Sequence, residues 1–198
     1  MVDNAARMLG FPVGPLQLVD ETSIDLGAKI ARATKAAMGE NYPDSAVDDV
    51  LFWMESKGRL GRKAKAGFFS YDAQGKRLGY WEGLSAQYPL TAQQPDLIDV
   101  QHRLIFVQSL EAVRALEEGV LLDIRECDVG AFLGWGFAPW SGGPFSWLDI
   151  LGSPYAAERC NQLHHAYGDR FACPDLLRSM ASKGQSFYGQ AKKAQSAA

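Results

Sequence analysis

Cysteine and histidine are both scarce: three of each in 198 residues. Cys127, Cys160 and Cys173 form no CxxC pair and leave an odd thiol over, which argues against a disulfide framework and for reduced thiols in a cytosolic setting. An excess of one charge is missing too. Twenty Lys and Arg face 23 Asp and Glu, and a formal net charge of −3 gives no general footprint for nucleic acid or a membrane surface. No apolar run nears the roughly 20 residues of a membrane span. Asp3 and Arg7 stand where a secretory signal needs an apolar stretch. His164-His165 makes no zinc motif, because adjacent helical residues point apart and no HExxH spacing is present. What remains is a soluble, cytoplasmic protein of ordinary composition, 47% hydrophobic and 22% charged, large enough to bury a core.

The chain repeats itself. Gly10-Phe11-Pro12-Val13-Gly14-Pro15-Leu16, closed by Asp20, returns as Gly136-Phe137-Ala138-Pro139-Trp140-Ser141-Gly142-Gly143-Pro144-Phe145, closed by Asp149. Gly10 and Gly136 are 126 positions apart, whereas Pro15 and Pro144, like Asp20 and Asp149, are 129 apart. Three residues are therefore inserted in the second loop. Met54 matches Met180 and Lys57-Gly58 matches Lys183-Gly184, again at 126. Such a period reads as tandem duplication of one supersecondary unit. A long helix, about 99–119, precedes the second loop, while only nine residues precede the first. The first copy is accordingly expected to lack its opening helix and to expose an apolar patch at its Gly-Phe-Pro loop.

Helical patterning predicts segments at 2–9, 25–38 (Leu26, Ile30 and Ala33 at helical spacing) and 47–58, the last with Asp44-Ser45 as N-cap. Residues 68–71 and 79–81 flank Ala73-Gln74-Gly75-Lys76 as a small hairpin. In the second copy Ile105, Ala112 and Leu116 line one helix face, and Arg114 can pair with Glu111 and Glu118. Shorter helices follow at 126–133, 156–166 and 174–182. The domain reading is a first unit at 1–82, a linker at 83–95, a second unit at 96–189 and a flexible tail at 190–198. The fold class is all-α: two tandem helical units with one small β-hairpin.

These residues carry a resemblance. The first Gly-Phe-Pro-x-Gly-Pro loop with Asp20, and Gly58-Arg59-Leu60-Gly61-Arg62-Lys63 running into Gly67-Phe68-Phe69-x-Tyr71, resemble the C-terminal helical domain of the L-3-hydroxyacyl-CoA dehydrogenases. Arg103-Leu104, Glu111-Ala112, Leu116-Glu117-Glu118-Gly119, Asp128-x-Gly130 and Gly142-Gly143-Pro144-Phe145 resemble the second such domain of the multifunctional α-subunit of fatty-acid oxidation, where the domain is duplicated. The likeness runs from about residue 2 to 188. It implies an NAD-dependent oxidoreductase whose Rossmann domain holds NAD and a His–Glu pair. This chain has neither a GxGxxG fingerprint on a strand–loop–helix nor a histidine in a matching motif. The family's substrate-contacting Asn lies in an Asn-Arg pair on the opening helix, and the second copy reads His102-Arg103 there. No catalytic residue, metal site or cofactor-binding residue is therefore expected in this chain, and NAD is expected only with an upstream domain.

The basic run Lys57, Arg59, Arg62, Lys63, Lys65 is the one concentrated charge feature. Arg59, Arg62 and Lys63 are candidates for contact with the phosphates of CoA or with a partner domain, against a plain solvated turn. Cys127 and Cys160 read as buried thiols, Glu117-Glu118 as a solvated acidic face, and Trp135, Phe137, Trp140, Phe145 and Trp147 as packing aromatics. The expected function is the substrate-side and association region of a 3-hydroxyacyl-CoA dehydrogenase, not competent alone. Its partners would be an upstream NAD-binding domain or subunit, acyl-CoA, and an internal pseudo-dimer or homodimer. The alternatives are a non-catalytic interaction scaffold and a stand-alone acyl-CoA-binding module.

Overall fold

The computed structural model describes residues 1–43 and 45–189. Asp44, half of the expected N-cap, and the expected tail at 190–198 lie outside the described residues. Two compact units emerge: residues 1–3 with 13–94, and residues 4–12 with 95 onward. The first helix, α1 (Val2–Met8), contributes to both.

In the first unit, α2 (Pro15–Thr22) begins where Gly14-Pro15 supplies a bend and a preset φ. It is followed by α3 (Ile24–Met38) and by α4 (Ala46–Ser56), which is capped by the Ser45 hydroxyl accepting from the Val47 N–H at 3.3 Å. Then come the antiparallel pair β1 (Phe69–Tyr71) and β2 (Arg77–Tyr80), with Phe69 opposite Tyr80 and a bulge after Ser70. The core is Ile24, Met54, Phe68, Phe69 and Tyr71. Residues 83–95 hold a short helix, α5 (Gly83–Gln87), and Tyr88 packs edge-on against Trp53 at 5.5 Å, so this stretch is partly built into the first unit. The buried face of α3 is Ile24, Ala28 and Ala31, not the stripe of Leu26 and Ile30, which are 48% and 57% exposed. Gly27 lets Leu51 of α4 approach the helix.

The second unit contains α6 (Leu97–Glu117), α7 (Ile124–Trp135), α8 (Pro144–Leu151), α9 (Ser153–Tyr167) and α10 (Asp175–Lys183). Asp96 caps α6 and Asp123 caps α7. The Arg125 side chain and backbone hold the Asp123 carboxyl down at about 2. Helix α8 is apolar almost all round and sits at the centre, with Pro144, Phe145, Trp147 and Leu148 buried. Phe106 meets Trp147 edge-on at 4.7 Å and Phe145 meets Phe187 at 4.9 Å. Each such buried ring contributes roughly 1.5–3 kcal/mol. Arg114 pairs with Glu111 at 3.1 Å as expected, but its other nitrogen donates to the Arg170 and Ala172 carbonyls rather than to Glu118.

The Gly10-Phe11-Pro12 turn also belongs to the second unit. Phe11 stands edge-on to Phe137 at 5.7 Å, and the Trp140 indole N–H donates to the Leu9 carbonyl at 2.6 Å. Met8 and Trp140, both beside the turn, are largely exposed.

Candidate functional site

The basic loop of the first unit hangs between α4 and β1. Gly61, at φ +116°, lets the loop press against the Asp20 carbonyl, and Arg62–Ala64 form a single tight turn. Gly61 and Ala66 exchange backbone hydrogen bonds at 2.7 and 3.2 Å, closing the loop on itself. Beneath it lies Asp20. Its buried carboxylate accepts from the Phe68 and Phe69 N–H groups at 2.7 and 2.9 Å and from the Tyr71 hydroxyl at 2.8 Å. Burial outweighs those three donors and holds the Asp20 carboxyl above its ordinary value. Burial, with the Asp20 carboxylate beside it, also pushes the Tyr71 hydroxyl well up.

The three candidate residues divide by their partners. Arg59 donates Nε to the Gly67 carbonyl at 2.6 Å and Nη2 to the Phe69 carbonyl at 2.9 Å, and lies 4.4 Å over the Trp81 ring. Trp81 in turn stacks on Trp53 at 5.3 Å. Burial lowers the Arg59 guanidinium from its usual value, and its Nε and Nη2 are committed to the loop and β1. Arg62 is half exposed and pairs with Glu21 at 2.8 Å. Lys63 is exposed, with no ion pair among the described residues. Lys65 is tied to the Ala73 carbonyl at 2.6 Å. Lys63 and Arg62 are therefore the more accessible cations of a loop braced by Arg59. A shallow hollow of about 420 Å³, lined by Ser70, Leu78, Gly79, Tyr80, Trp81 and Glu82, opens beside β2.

Among the described residues no group of three or more His, Cys, Asp or Glu could hold a metal. His164 meets Asp169 at 3.0 Å. The Cys160 thiol, hydrogen-bonded by Cys173 and buried, is pushed far from its thiolate form, and burial raises Cys127 as well. Glu117 accepts from the Leu176 N–H at the start of α10, an N-terminal role that its sequence position did not signal. Trp135 and Trp140 are largely exposed, while Phe137, Phe145 and Trp147 are buried. Among the described residues, no helix is long and apolar enough to cross a membrane.

Residues 1–71, which carry this loop, match the family model of the 3-hydroxyacyl-CoA dehydrogenase C-terminal domain. Residues 1–71 thus resemble a 3-hydroxyacyl-CoA dehydrogenase C-terminal domain. Over 188 residues, 94% of the chain, the sequence is 38% identical to the fatty acid oxidation complex subunit alpha of Shewanella loihica, and 37% identical over 191 residues to that of Vibrio vulnificus. The chain spans about a quarter of the length of these relatives, 26% of each. Two solved structures share the fold. The 3-hydroxybutyryl-CoA dehydrogenase of Escherichia coli K12 gives a TM-score of 0.64 at 20% identity, over 92% of this chain and 54% of that one. The dehydrogenase part of multifunctional enzyme 1 of C. elegans gives 0.63 at 21% identity, over 90% of this chain and 41% of that one. The sheet among the described residues is a two-stranded antiparallel hairpin, and no strand there feeds a Gly-rich turn into a helix N-terminus.

Proposed function

We propose that this chain is the C-terminal, substrate-side and association region of an NAD-dependent L-3-hydroxyacyl-CoA dehydrogenase of fatty-acid oxidation, built from two copies of one helical unit and without turnover by itself. The observation that carries the reading is the alignment of 94% of the chain with fatty acid oxidation complex alpha subunits. The partner it requires is an upstream NAD-binding domain or subunit of the same enzyme, with NAD as cofactor there and acyl-CoA as ligand. Lys63 and Arg62 are the residues that would meet the CoA phosphates, while Arg59 positions their loop. The reduced thiols favour a cytoplasmic setting.

Matched devices support the reading as two copies. Asp3 accepts from the Leu16 and Gln17 N–H groups at the start of α2, as Asp128 accepts from those of Phe145 and Ser146 at the start of α8. Asp20 accepts from the Phe68 and Phe69 N–H groups, and Asp149 from those of Phe187 and Tyr188. Buried Met54 and Met180 each precede a left-handed Gly stop, and each Met carbonyl accepts from the residue after that Gly at 3.0 Å. A helical interaction scaffold is the second reading, favoured by the exposed Leu26 and Ile30 stripe on α3. NADH oxidation with acetoacetyl-CoA tests the main reading: the purified chain should show none, and sustained turnover by it alone would refute the proposal.

A further inference from the structure

In the second unit, a string of polar side chains ties α6 to α9. Arg159 of α9 donates Nη2 to Asp99 Oδ1 at 2.6 Å and Nε to His102 Nδ1 at 2.9 Å. The Tyr167 hydroxyl donates to Asp99 Oδ2 at 2.5 Å, and the Arg103 guanidinium lies 4.1 Å over the Tyr167 ring. Asp99, His102 and Arg103 stand at i, i+3 and i+4, so one face of α6 presents all three. The Arg159 and Asp99 side chains are only 18% and 20% exposed, which weakens solvent screening of their pairing. Helix α9 packs closely on α8 and α10, and meets this stretch of α6 through these long side chains.

The geometry fixes the state of His102. A guanidinium Nε can only donate, so Nδ1 must be the bare acceptor and the ring proton must sit on Nε2. A second proton, added at Nδ1, removes the acceptor and sets an imidazolium against a guanidinium. The charged groups that act on the ring are Asp96 at the N-cap of α6, Asp99 on α6 and Arg159 on α9, with Arg103 and Tyr167 joined to them through Asp99, while Phe106 stands edge-on at 5.6 Å. Burial first, and Arg159 second, outweigh the two carboxylates and hold the imidazole below its ordinary range.

We propose that His102 and Arg159 form a pH-sensitive clasp between α6 and α9, closed while the imidazole is neutral and opened when Nδ1 takes a proton. Opening frees Arg159 from one of its two anchors on α6 and leaves Asp99 to hold it alone. The direction follows from linkage. The unfolded chain takes up the proton near pH 6.5, earlier on acidification than the folded one, so the stability that needs a neutral ring is present above about pH 6.5 and is lost as the pH falls below it.

Hydrogen exchange followed by mass spectrometry on the full chain tests this, at about pH 7.5 and about pH 5.5 with intrinsic rates corrected. His102→Asn is the matched variant, because its Oδ1 offers an acceptor where Nδ1 stood and does not titrate. Between the two pH values, protection of peptides from α9 should fall about threefold or more further in the wild type than in the variant. An equal pH dependence in both proteins would overturn the proposal, as would protection in the wild type that ignores pH. An imidazole NMR titration of the wild type decides the matter if the variant does not fold. The clasp requires the Nε2–H tautomer and a midpoint below about 6.5, and an Nδ1–H tautomer or an ordinary midpoint would overturn it.

Discussion

Replacing Gly143 by Ala should cost the second unit far more than an ordinary glycine substitution. Gly143 holds φ +123° at the N-cap of α8, and a Cβ placed there would lie 2.5 Å from the Asp128 Cβ and Cγ and 2.6 Å from its Cα. The backbone conformation is nearly closed to residues with a side chain and costs about 1–3 kcal/mol. Relief of the overlap must push α7 away from α8, which withdraws the Asp128 carboxylate from the Phe145 and Ser146 N–H groups, now at 2.8 and 3.0 Å. Losing acceptors that carry charge costs about 1.5–3 kcal/mol. The total of about 3–5 kcal/mol is a large share of the stability of any domain. Gly184→Ala is the control. Gly184 sits at φ +58° with no neighbouring atom within 4 Å of the place a Cβ would take, so the substitution incurs only the left-handed cost of about 1–2 kcal/mol. Urea unfolding, followed by the emission of buried Trp147, reads the difference. With a slope of about 2 kcal/mol per molar urea, the Gly143→Ala midpoint should fall by about 1.5–2.5 M and the control by clearly less. Equal shifts in the two variants would refute the claim that contact with Asp128 is what makes Gly143 necessary.

The remaining predictions concern the basic loop, the turn beside Phe11 and the acid limb. Arg59→Met should lower the stability of the first unit by about 2–3 kcal/mol in a thermal melt, since the Gly67 and Phe69 carbonyls lose a charged donor. Lys63→Glu should leave melting within about 0.5 kcal/mol of the wild type and register only in ligand affinity. Trp140→Phe should cost about 1 kcal/mol through the lost bond to the Leu9 carbonyl, measured by urea midpoint. Burial pushes Asp99 up, but the Tyr167 hydroxyl and Arg159 together hold it below its ordinary value. Its contribution to stability is present above about pH 3.9 and fades as the pH falls further, so Asp99→Asn should flatten that acid limb of the melting profile.

The hairpin and most helices were legible because propensity, Gly stops and caps are local signals, whereas α2, α5 and α8, which fall in the stretches read as Gly/Pro loops and linker, were not. The buried face of α3 was not. Its sequence carries two apolar stripes, Ile24-Ala28-Ala31 and Leu26-Ile30-Ala33, and periodicity announces a helix without saying which stripe meets a neighbour. The repeat marked Asp20 and Asp149 as closing residues, yet each accepts from backbone more than 35 positions away, a pairing no local pattern encodes. Arg59 had the same appearance in sequence as Lys63. Only the path of the loop separates the guanidinium bound to carbonyls from the exposed ammonium. The Asp99–His102–Arg159–Tyr167 string was hidden for a similar reason. Its α6 half shows as polar residues at i, i+3 and i+4, but its α9 half lies about 60 positions on.

Calorimetric titration of the chain with acetoacetyl-CoA, and separately with NADH, tests the central claim most directly. The proposed substrate-side role predicts heat of binding with the thioester, weakened by Lys63→Glu, and none with NADH. Saturable binding of NADH, or no binding of the thioester, would contradict it.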